Sequence, residues 1–374
     1  MKTSRSGLTN KILIAGPCSA ESFEQLDAVA EGISSLSPNY FRAGVWKPRT
    51  RPSEFEGVGT LALDWLSQIK KKHSLKVCTE VANPNHVEQC LKYGIDALWI
   101  GARTTTNPFS MQDIAESLKG EQIPIFVKNP LNPDLKLWIG AIERLHQAGI
   151  ENVYAIHRGF SLTDNGCYRQ TPLWQIPIEL KRIFPSLNII CDPSHIAGKS
   201  EFVESLSQTA MNIGLDGLMI EVHHNPQIAK TDAKQQLSIH QFKSLLNNLI
   251  ISKTEENVLP EKINILRKEI DNIDNKLIEL LSERINVSTK IAQIKKESNI
   301  SVLQVNRWKK LLSDRIEYSN TKGISEEFIK EIFELIHEES VRVQDEIIKK
   351  TKKIDKILVE NKKICIFATD ERNY

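Results

Sequence analysis

The sequence predicts an α/β protein, a (β/α)8 TIM barrel followed by an all-α domain of three helices. Three observations carry this reading. Short apolar runs of strand length recur eight times before residue 221, with helically spaced segments between them. Glycine and proline punctuate turns, and they crowd the first part: 16 of 17 glycines lie before residue 250 and all 15 prolines lie at or before Pro260. Beyond that point apolar residues repeat at helical spacing, and Gly323 is the one glycine.

A chain of 374 residues exceeds one ordinary core, so two domains are expected. The expected organisation is a barrel over 1–251, a linker over 252–260, a helical domain over 261–349, and a helical extension and tail over 350–374. Hydrophobic residues make up 40% and charged residues 26%, a globular balance, and the net charge of +2 gives no whole-chain case for nucleic acid. No apolar run reaches eighteen residues, so no membrane-spanning helix is expected. The first ten residues are polar, unlike a signal peptide, and leave no room for a separate regulatory module. Cysteines 18, 78, 90, 167, 191 and 365 lack CxxC spacing, which points to reduced thiols and a cytoplasmic location.

The strands are expected at 12–15, 40–45, 76–79, 97–100, 124–127, 153–156, 188–191 and 217–220. Helical spacing falls at 23–33, 61–71, 86–93 and 137–148, among others. A doubly wound sheet is the alternative, but no GxGxxG follows the first strand. In a barrel, chemistry sits at the C-terminal strand ends. Cys18 follows strand 1. Strand 2 gives Arg42, and Lys47 and Arg49 follow it, with Thr50 beside them. Glu80 ends strand 3, Arg103 follows strand 4, Lys128 ends strand 5 and Arg158 follows strand 6. His195 follows strand 7, Glu221 ends strand 8, and Asp232 lies in the loop beyond.

Three cations in eight residues, Arg42 to Arg49, are often only a solvated loop. Here they follow an apolar strand, and further cations recur after later strands. Cations gathered at one mouth repel each other unless an anion binds, with phosphate the first candidate. The same mouth holds Cys18, His195, Glu221 and Asp232, a mixed S/N/O set suited to a divalent transition metal. Each residue alone has an ordinary structural reading; together at strand ends they favour ligation.

These motifs together resemble the 3-deoxy-D-arabino-heptulosonate 7-phosphate (DAHP) synthases. They are Gly16-Pro17-Cys18-Ser19, Arg42 with Lys47-Pro48-Arg49-Thr50, Gly101-Ala102-Arg103-Thr104, Lys128-Asn129, Asp192-Pro193-Ser194-His195, Glu221 and Thr231-Asp232-Ala233. The resemblance spans roughly residues 10–245. It implies condensation of phosphoenolpyruvate with erythrose 4-phosphate in the shikimate pathway. It implies a divalent ion such as Mn2+, Fe2+ or Co2+ on Cys18, His195, Glu221 and Asp232. Phosphoenolpyruvate would lie on Lys47, Arg103, Lys128 and Arg158, with Arg42 also in the substrate site. The sugar phosphate would lie on Arg49 and Thr50. Lys47, Lys128 and His195 would be catalytic. The sister octulosonate phosphate synthases are the runner-up; Lys47-Pro48-Arg49-Thr50 favours the heptulosonate enzyme, since the sister family carries Ala-Asn-Arg there.

From Pro260 to about Glu297 the spacing predicts one amphipathic helix of about 38 residues, near 57 Å at 1.5 Å per residue. A second helix is expected over about 305–318. Ser325 caps a third from Glu326 to at least Lys349. So long a stripe calls for a second copy, so a homodimer through this domain is expected. Arg267, Arg284, Lys295, Arg307, Ser340 and Gln344 interrupt the pattern with polar groups. Their spacing resembles the all-helical chorismate mutases over 263–346. The resemblance implies rearrangement of chorismate to prephenate without a cofactor. Arg267 from the partner copy, Arg284 and Arg307 would hold the carboxylates. Lys295 and Gln344 would bond the ether oxygen and act as the catalytic pair, with Ser340 in the substrate site. Gln304 stands where the family often has Asp, and Trp308 where it often has Glu, the usual partner of the substrate hydroxyl. A ligand-sensing regulatory module and a plain coiled-coil arm are the alternatives for this domain. Joining both enzymes in one chain implies feedback inhibition of the synthase by prephenate through the helices. Residues 362–368 form a β-prone run of no assigned role.

Overall fold

The computed structural model describes residues 10–49, 51, 53–163, 166–251 and 261–370, with side chains as far as residue 349. The chain divides into two compact units, Met1–Thr254 and Glu255–Tyr374. The expected linker over 252–260 lies outside the described residues.

In the first unit eight parallel strands pair in sequence order. They are β1 (Ile12–Gly16), β2 (Tyr40–Arg42), β3 (Val77–Val81), β4 (Ala97–Ile100), β5 (Ile125–Lys128), β6 (Val153–His157), β7 (Ile189–Cys191) and β8 (Gly217–His223). β8 pairs back onto β1, from Ile12 opposite Gly217 to Gly16 opposite Glu221, and this closes the barrel. A two-residue strand, β9 (Leu237–Ser238), continues beside the end of β8. The intervening helices are α1 (Phe23–Ser34), α2 (Thr60–His73), α3 (Pro84–Lys92), α4 (Ala102–Thr105), α5 (Pro108–Ser117), α6 (Leu135–Gln147), α7 (Gln175–Ile183), α8 (Pro193–Ala197), α9 (Val203–Asn212) and α10 (Ile239–Asn248). Their starts follow from local chemistry. The side chains of Ser22, Asn83, Asn107 and Asp134 accept hydrogen bonds from the first turns of α1, α3, α5 and α6. Ser238 and Gln241 form a reciprocal capping box on α10.

Successive strand residues point to opposite faces, so each strand serves two cores. The outer core, between strands and helices, takes Leu13, Ala15, Phe41, Leu98, Val127, Ala155, Leu218 and Ile220. The inner core takes Ile14, Cys78, Trp99, Phe126, Ile156, Ile190 and Met219, with Tyr40 packed against them. Two residues further along the same strands come Gly16, Arg42, Glu80, Gly101, Lys128, Arg158, Asp192 and Glu221. The period of two therefore turns an apolar floor into a polar rim at the C-terminal mouth. At the mouth, Gly16 has φ +148°, and a Cβ there would lie 2.2 Å from the Arg42 carbonyl oxygen. Only glycine lets the chain bend toward Cys18 at so close an approach.

The second unit consists of α11 (Glu261–Glu297), α12 (Val305–Asn320) and α13 (Glu326–Asp370). α11 and α12 both pack on α13. At 37 residues α11 is about 56 Å long. Its apolar stripe is largely uncovered within one chain: Leu266, Ile270, Ile273, Leu277, Leu280 and Ile294 are each more than half exposed. The β-prone run at 362–368 is not a strand, because α13 continues through it to Asp370. With no glycine or proline after Gly323, helix propagation overrides the weaker β preference. No helix among the described residues is long and apolar enough to cross a membrane.

Candidate active sites

At the barrel mouth the rim residues pair across the lumen. Arg42 on β2 donates from Nη2 to Glu221 Oε1 on β8 at 3.0 Å, and both side chains are buried. Lys128 Nζ donates to Asp192 Oδ2 at 2.8 Å, also buried. The Trp99 ring lies beneath both cations, 4.9 Å from the Arg42 guanidinium carbon and 6.0 Å from Lys128 Nζ. Its Nε1 donates to Glu80 Oε2 at 3.1 Å. Gly101 makes room for that carboxylate, since a Cβ there would sit 2.0 Å from Glu80 Oε1.

Cys18, Glu221 and Asp232 bring their donor atoms within 4.8 Å of one another. His195 stands beside them, with Nε2 3.8 Å from Glu221 Oε1 and Nδ1 2.8 Å from Asp192 Oδ2. Asp232 occupies left-handed backbone, φ +46°, which an aspartate tolerates better than most residues. Its Oδ2 accepts from Cys18 Sγ at 3.4 Å and its Oδ1 accepts from Arg169 Nη1 at 3.0 Å. Gln235 bridges the set: its Oε1 accepts from Arg169 at 2.8 Å and its Nε2 donates to Glu221 Oε2 at 2.7 Å. Gln236 Oε1 accepts from the Cys18 backbone N–H at 3.0 Å.

The electrostatics of this donor set suit a cation. Burial pushes the Cys18 thiol up to about 12, Glu221 adds to the rise, and Lys47 at 3.2 Å offsets only part of it. A thiolate there needs more positive charge than the protein supplies, and a bound divalent ion would supply it. Burial also raises Glu221 and Asp232, but neighbouring cationic groups outweigh it. His195 and Arg42 hold Glu221 below the usual carboxylate range, and His195, Arg169 and Lys47 do the same for Asp232. Burial lowers the His195 pKa against the opposing pull of Asp192 and Glu221, and an imidazole that ligates gives up its proton to the metal. The residues present therefore fit a mixed-donor divalent site.

Beside the donors lies a cleft of about 230 Å3, lined by Asp232, His195, Lys47, Arg49, Arg103, Lys128, Arg158 and Arg169, among others. Burial lowers Arg158 to about 10, and its buried Nη1 has no hydrogen-bond partner. Two more buried guanidinium nitrogens, Arg42 Nε and Nη1, are also unpartnered. Unpaired buried donors are costly, so several at one mouth point to an anionic ligand. Arg49 donates from Nε to the Phe55 carbonyl at 3.0 Å, and exposed Arg103 donates to the Pro48 carbonyl at 3.2 Å. Thr50 lies outside the described residues. Strand-end reasoning finds Glu80 and Asp192 but assigns them no role, and it misses Arg169 and Gln235. Those two sit well beyond β6 and β8, and only the folded loops bring them in.

In the helical unit, Arg284 on α11 donates to Ser340 Oγ on α13 at 2.5 Å. Lys295 Nζ donates to the Val302 carbonyl at 2.6 Å. Gln344 is buried one turn after Ser340, and its Oε1 has no partner. Arg267 and Arg307 are exposed. Arg267 lies 17 residues before Arg284 on α11, about 25 Å along the axis, so one chain does not bring all six residues together.

Both units have relatives among known proteins. The profile of the DAHP synthetase I family matches residues 2–257, and that of chorismate mutase type II matches residues 266–345. A phospho-2-dehydro-3-deoxyheptonate aldolase of Thermotoga maritima is 30% identical over 237 residues, which are 63% of this chain and 68% of that protein. A bifunctional chorismate mutase/prephenate dehydratase of Buchnera aphidicola is 40% identical over 97 residues, 26% of this chain and 25% of that protein. The solved structure of a Thermotoga maritima DAHP synthase superimposes with a TM-score of 0.58 at 28% identity, covering 64% of this chain and 68% of that chain.

The donor cluster makes a direct prediction. Cys18→Ala is expected to weaken Mn2+ binding by more than about 100-fold, beyond the ~10–100-fold typical of residues that only support a ligand. Calorimetric titration measures this, with the melting temperature as a control for folding. Unchanged metal affinity would remove Cys18 from the site.

Proposed function

This chain belongs to the DAHP synthetase I family, and we propose that its barrel condenses phosphoenolpyruvate with erythrose 4-phosphate while its helical unit converts chorismate to prephenate. Both are steps of aromatic amino acid biosynthesis, and a cytoplasmic location suits them. The observation that carries the synthase reading is the cleft lined by Lys47, Arg103, Lys128 and Arg158 together with Asp232 and His195. Four cations suit a substrate bearing a phosphate and a carboxylate. Arg42, buried against Glu221, is assigned to the same substrate site. Arg49, on the loop after β2, and Thr50 are assigned to the sugar phosphate.

Cys18, His195, Glu221 and Asp232 would hold a divalent ion, which polarises the aldehyde as a Lewis acid when bound. The nucleophilic carbon of phosphoenolpyruvate attacks that aldehyde. Positive charge develops at the enol carbon, water captures it, and phosphate leaves. Lys47 and Lys128 stay beside the phosphate and carboxylate throughout. Lys128 is oriented by Asp192, and Lys47 by its hydrogen bond to the Cys18 carbonyl at 3.1 Å.

The mutase reading rests on Arg284, Lys295, Ser340 and Gln344, with Arg307 assigned to a substrate carboxylate. A pericyclic rearrangement needs no covalent step, only donors placed where charge develops on the ether oxygen. Lys295 and Gln344 are those donors. Arg267 would enter from a second copy, whose α11 would also cover the exposed apolar stripe. Sedimentation is expected to give a dimer; a monomer at micromolar concentration would rule out a shared site.

Assays of the pure chain for heptulosonate phosphate formation and chorismate loss test the two activities. Lys295→Ala and Gln344→Ala are each expected to lower mutase turnover by at least ~10²-fold, the scale for one well-placed transition-state donor, and to spare the synthase. Near-native turnover in either would make the assignment wrong.

Prephenate is further proposed to inhibit the synthase through the helical unit. Inhibition requires that prephenate bind two arrangements of the chain with different affinity, and about 1–3 kcal/mol of coupling is typical. A barrel released by cleavage at Thr254 should stay active and lose its response to prephenate. Equal inhibition of the isolated barrel would exclude this route.

A further inference from the structure

We infer that His337, held against Trp308, is the specificity-determining residue that receives the substrate hydroxyl in the helical unit. The inference rests on the mutase reading and adds a residue to that site. His337, Ser340 and Gln344 lie at i, i+3 and i+7 on α13, so they share one helix face. Ser340 receives Arg284, and Gln344 presents an unpartnered buried Oε1. His337 adds a second unpartnered buried polar atom, Nε2. Two such atoms on one face, beside two cations, mark places where a ligand completes the hydrogen bonding.

The chemistry of chorismate assigns them. It carries two carboxylates, one ether oxygen and one secondary hydroxyl. The arginines match the carboxylates, and Lys295 matches the ether together with Gln344, whose amide would turn its NH2 toward that acceptor; this leaves the hydroxyl without a protein partner. A hydroxyl both donates and accepts, so it pairs with Nε2 in either neutral tautomer. Burial, Arg284 and Lys295 all lower the His337 pKa, which favours the neutral ring. Trp308 fixes that ring: the two are stacked with centroids 4.0 Å apart and planes within 9°. Trp308 occupies the position where related mutases often place a glutamate. In this chain the indole contributes a flat wall there, and the polar contact passes to the imidazole stacked on it.

The test compares His337→Phe and His337→Gln in the full-length chain. Phenylalanine keeps a flat ring against Trp308 and removes the polar nitrogen; glutamine restores a polar group without the ring. His337→Phe is expected to lower kcat/KM for chorismate by about tenfold or more, with helix content and melting temperature unchanged. His337→Gln should return kcat/KM to within about threefold of the parent. Prephenate keeps the hydroxyl, so its calorimetric Kd should weaken in parallel in His337→Phe. Native kcat/KM in His337→Phe overturns the inference while leaving the mutase reading intact. Equal losses in both variants, with a lowered melting temperature, reduce His337 to a packing role and overturn it as well. A parent chain that neither converts chorismate nor binds prephenate removes the mutase reading and this inference with it.

Discussion

The two-residue period of a closed parallel barrel is the constraint on which the first unit depends. Once β8 pairs with β1, every strand must send alternate side chains into a lumen that has no other filling. Ile14, Cys78, Trp99, Phe126, Ile156, Ile190 and Met219 fill it. The next inward position on each strand is where packing ends and the mouth begins. There the chain places arginine, lysine, aspartate, glutamate or glycine without exception. No loop has to be ordered to bring Arg42, Lys128 and Glu221 together, because strand register does it.

That arrangement is unfavourable by the standards of an ordinary core. Arg42, Lys128, Asp192 and Glu221 are all nearly inaccessible, and desolvating a charge costs several kcal/mol before any pairing is counted. The pairs Arg42–Glu221 and Lys128–Asp192 offset part of this, and the Trp99 ring beneath both cations offsets more. The pairing remains incomplete. Arg158 Nη1 and two nitrogens of Arg42 keep unused donors. A sequence selected for barrel stability alone would replace these residues with apolar ones of similar volume. Their retention makes sense as preorganisation for a ligand that brings phosphate, carboxylate and metal charge to the same place.

Most of this was readable in the sequence because strand ends are readable. Short apolar runs locate the strands, and the C-terminal end of each run marks the mouth, with the period of two selecting the inward position there. What was not readable lies where period gives no guidance. Arg169 sits in the long loop between β6 and α7, yet it pairs with Asp232. Gln235 and Gln236 follow β8 by more than ten residues, yet they hold Glu221 and the Cys18 backbone. His195 has the right residue type, but the tight trio is Cys18, Glu221 and Asp232, with His195 tied chiefly to Asp192. The third helix shows the opposite failure: local β preference at 362–368 yields to uninterrupted helix. Trp308 is legible as a departure from the related mutases, but its stacking on His337 is visible only once α12 and α13 are packed.

The two units make their sites by different physics, and this bears on why they share a chain. The barrel site is built from one polypeptide whose rim is fixed by strand register. The proposed helical site is divided: Arg284 and Ser340 meet within one chain, with Gln344 one turn further along α13, while Arg267 is carried about 25 Å away on the same helix as Arg284. The exposed Leu266, Ile270, Ile273 and Leu277 flank Arg267 and extend toward the middle of α11. A surface that covers this stripe therefore also determines whether Arg267 reaches a site. In the proposed dimer, burying the stripe and completing the site would be one event, linked to association by mass action. A ligand that needs Arg267 binds the associated form in preference to the separated one, which is the differential affinity that any coupling between two sites requires.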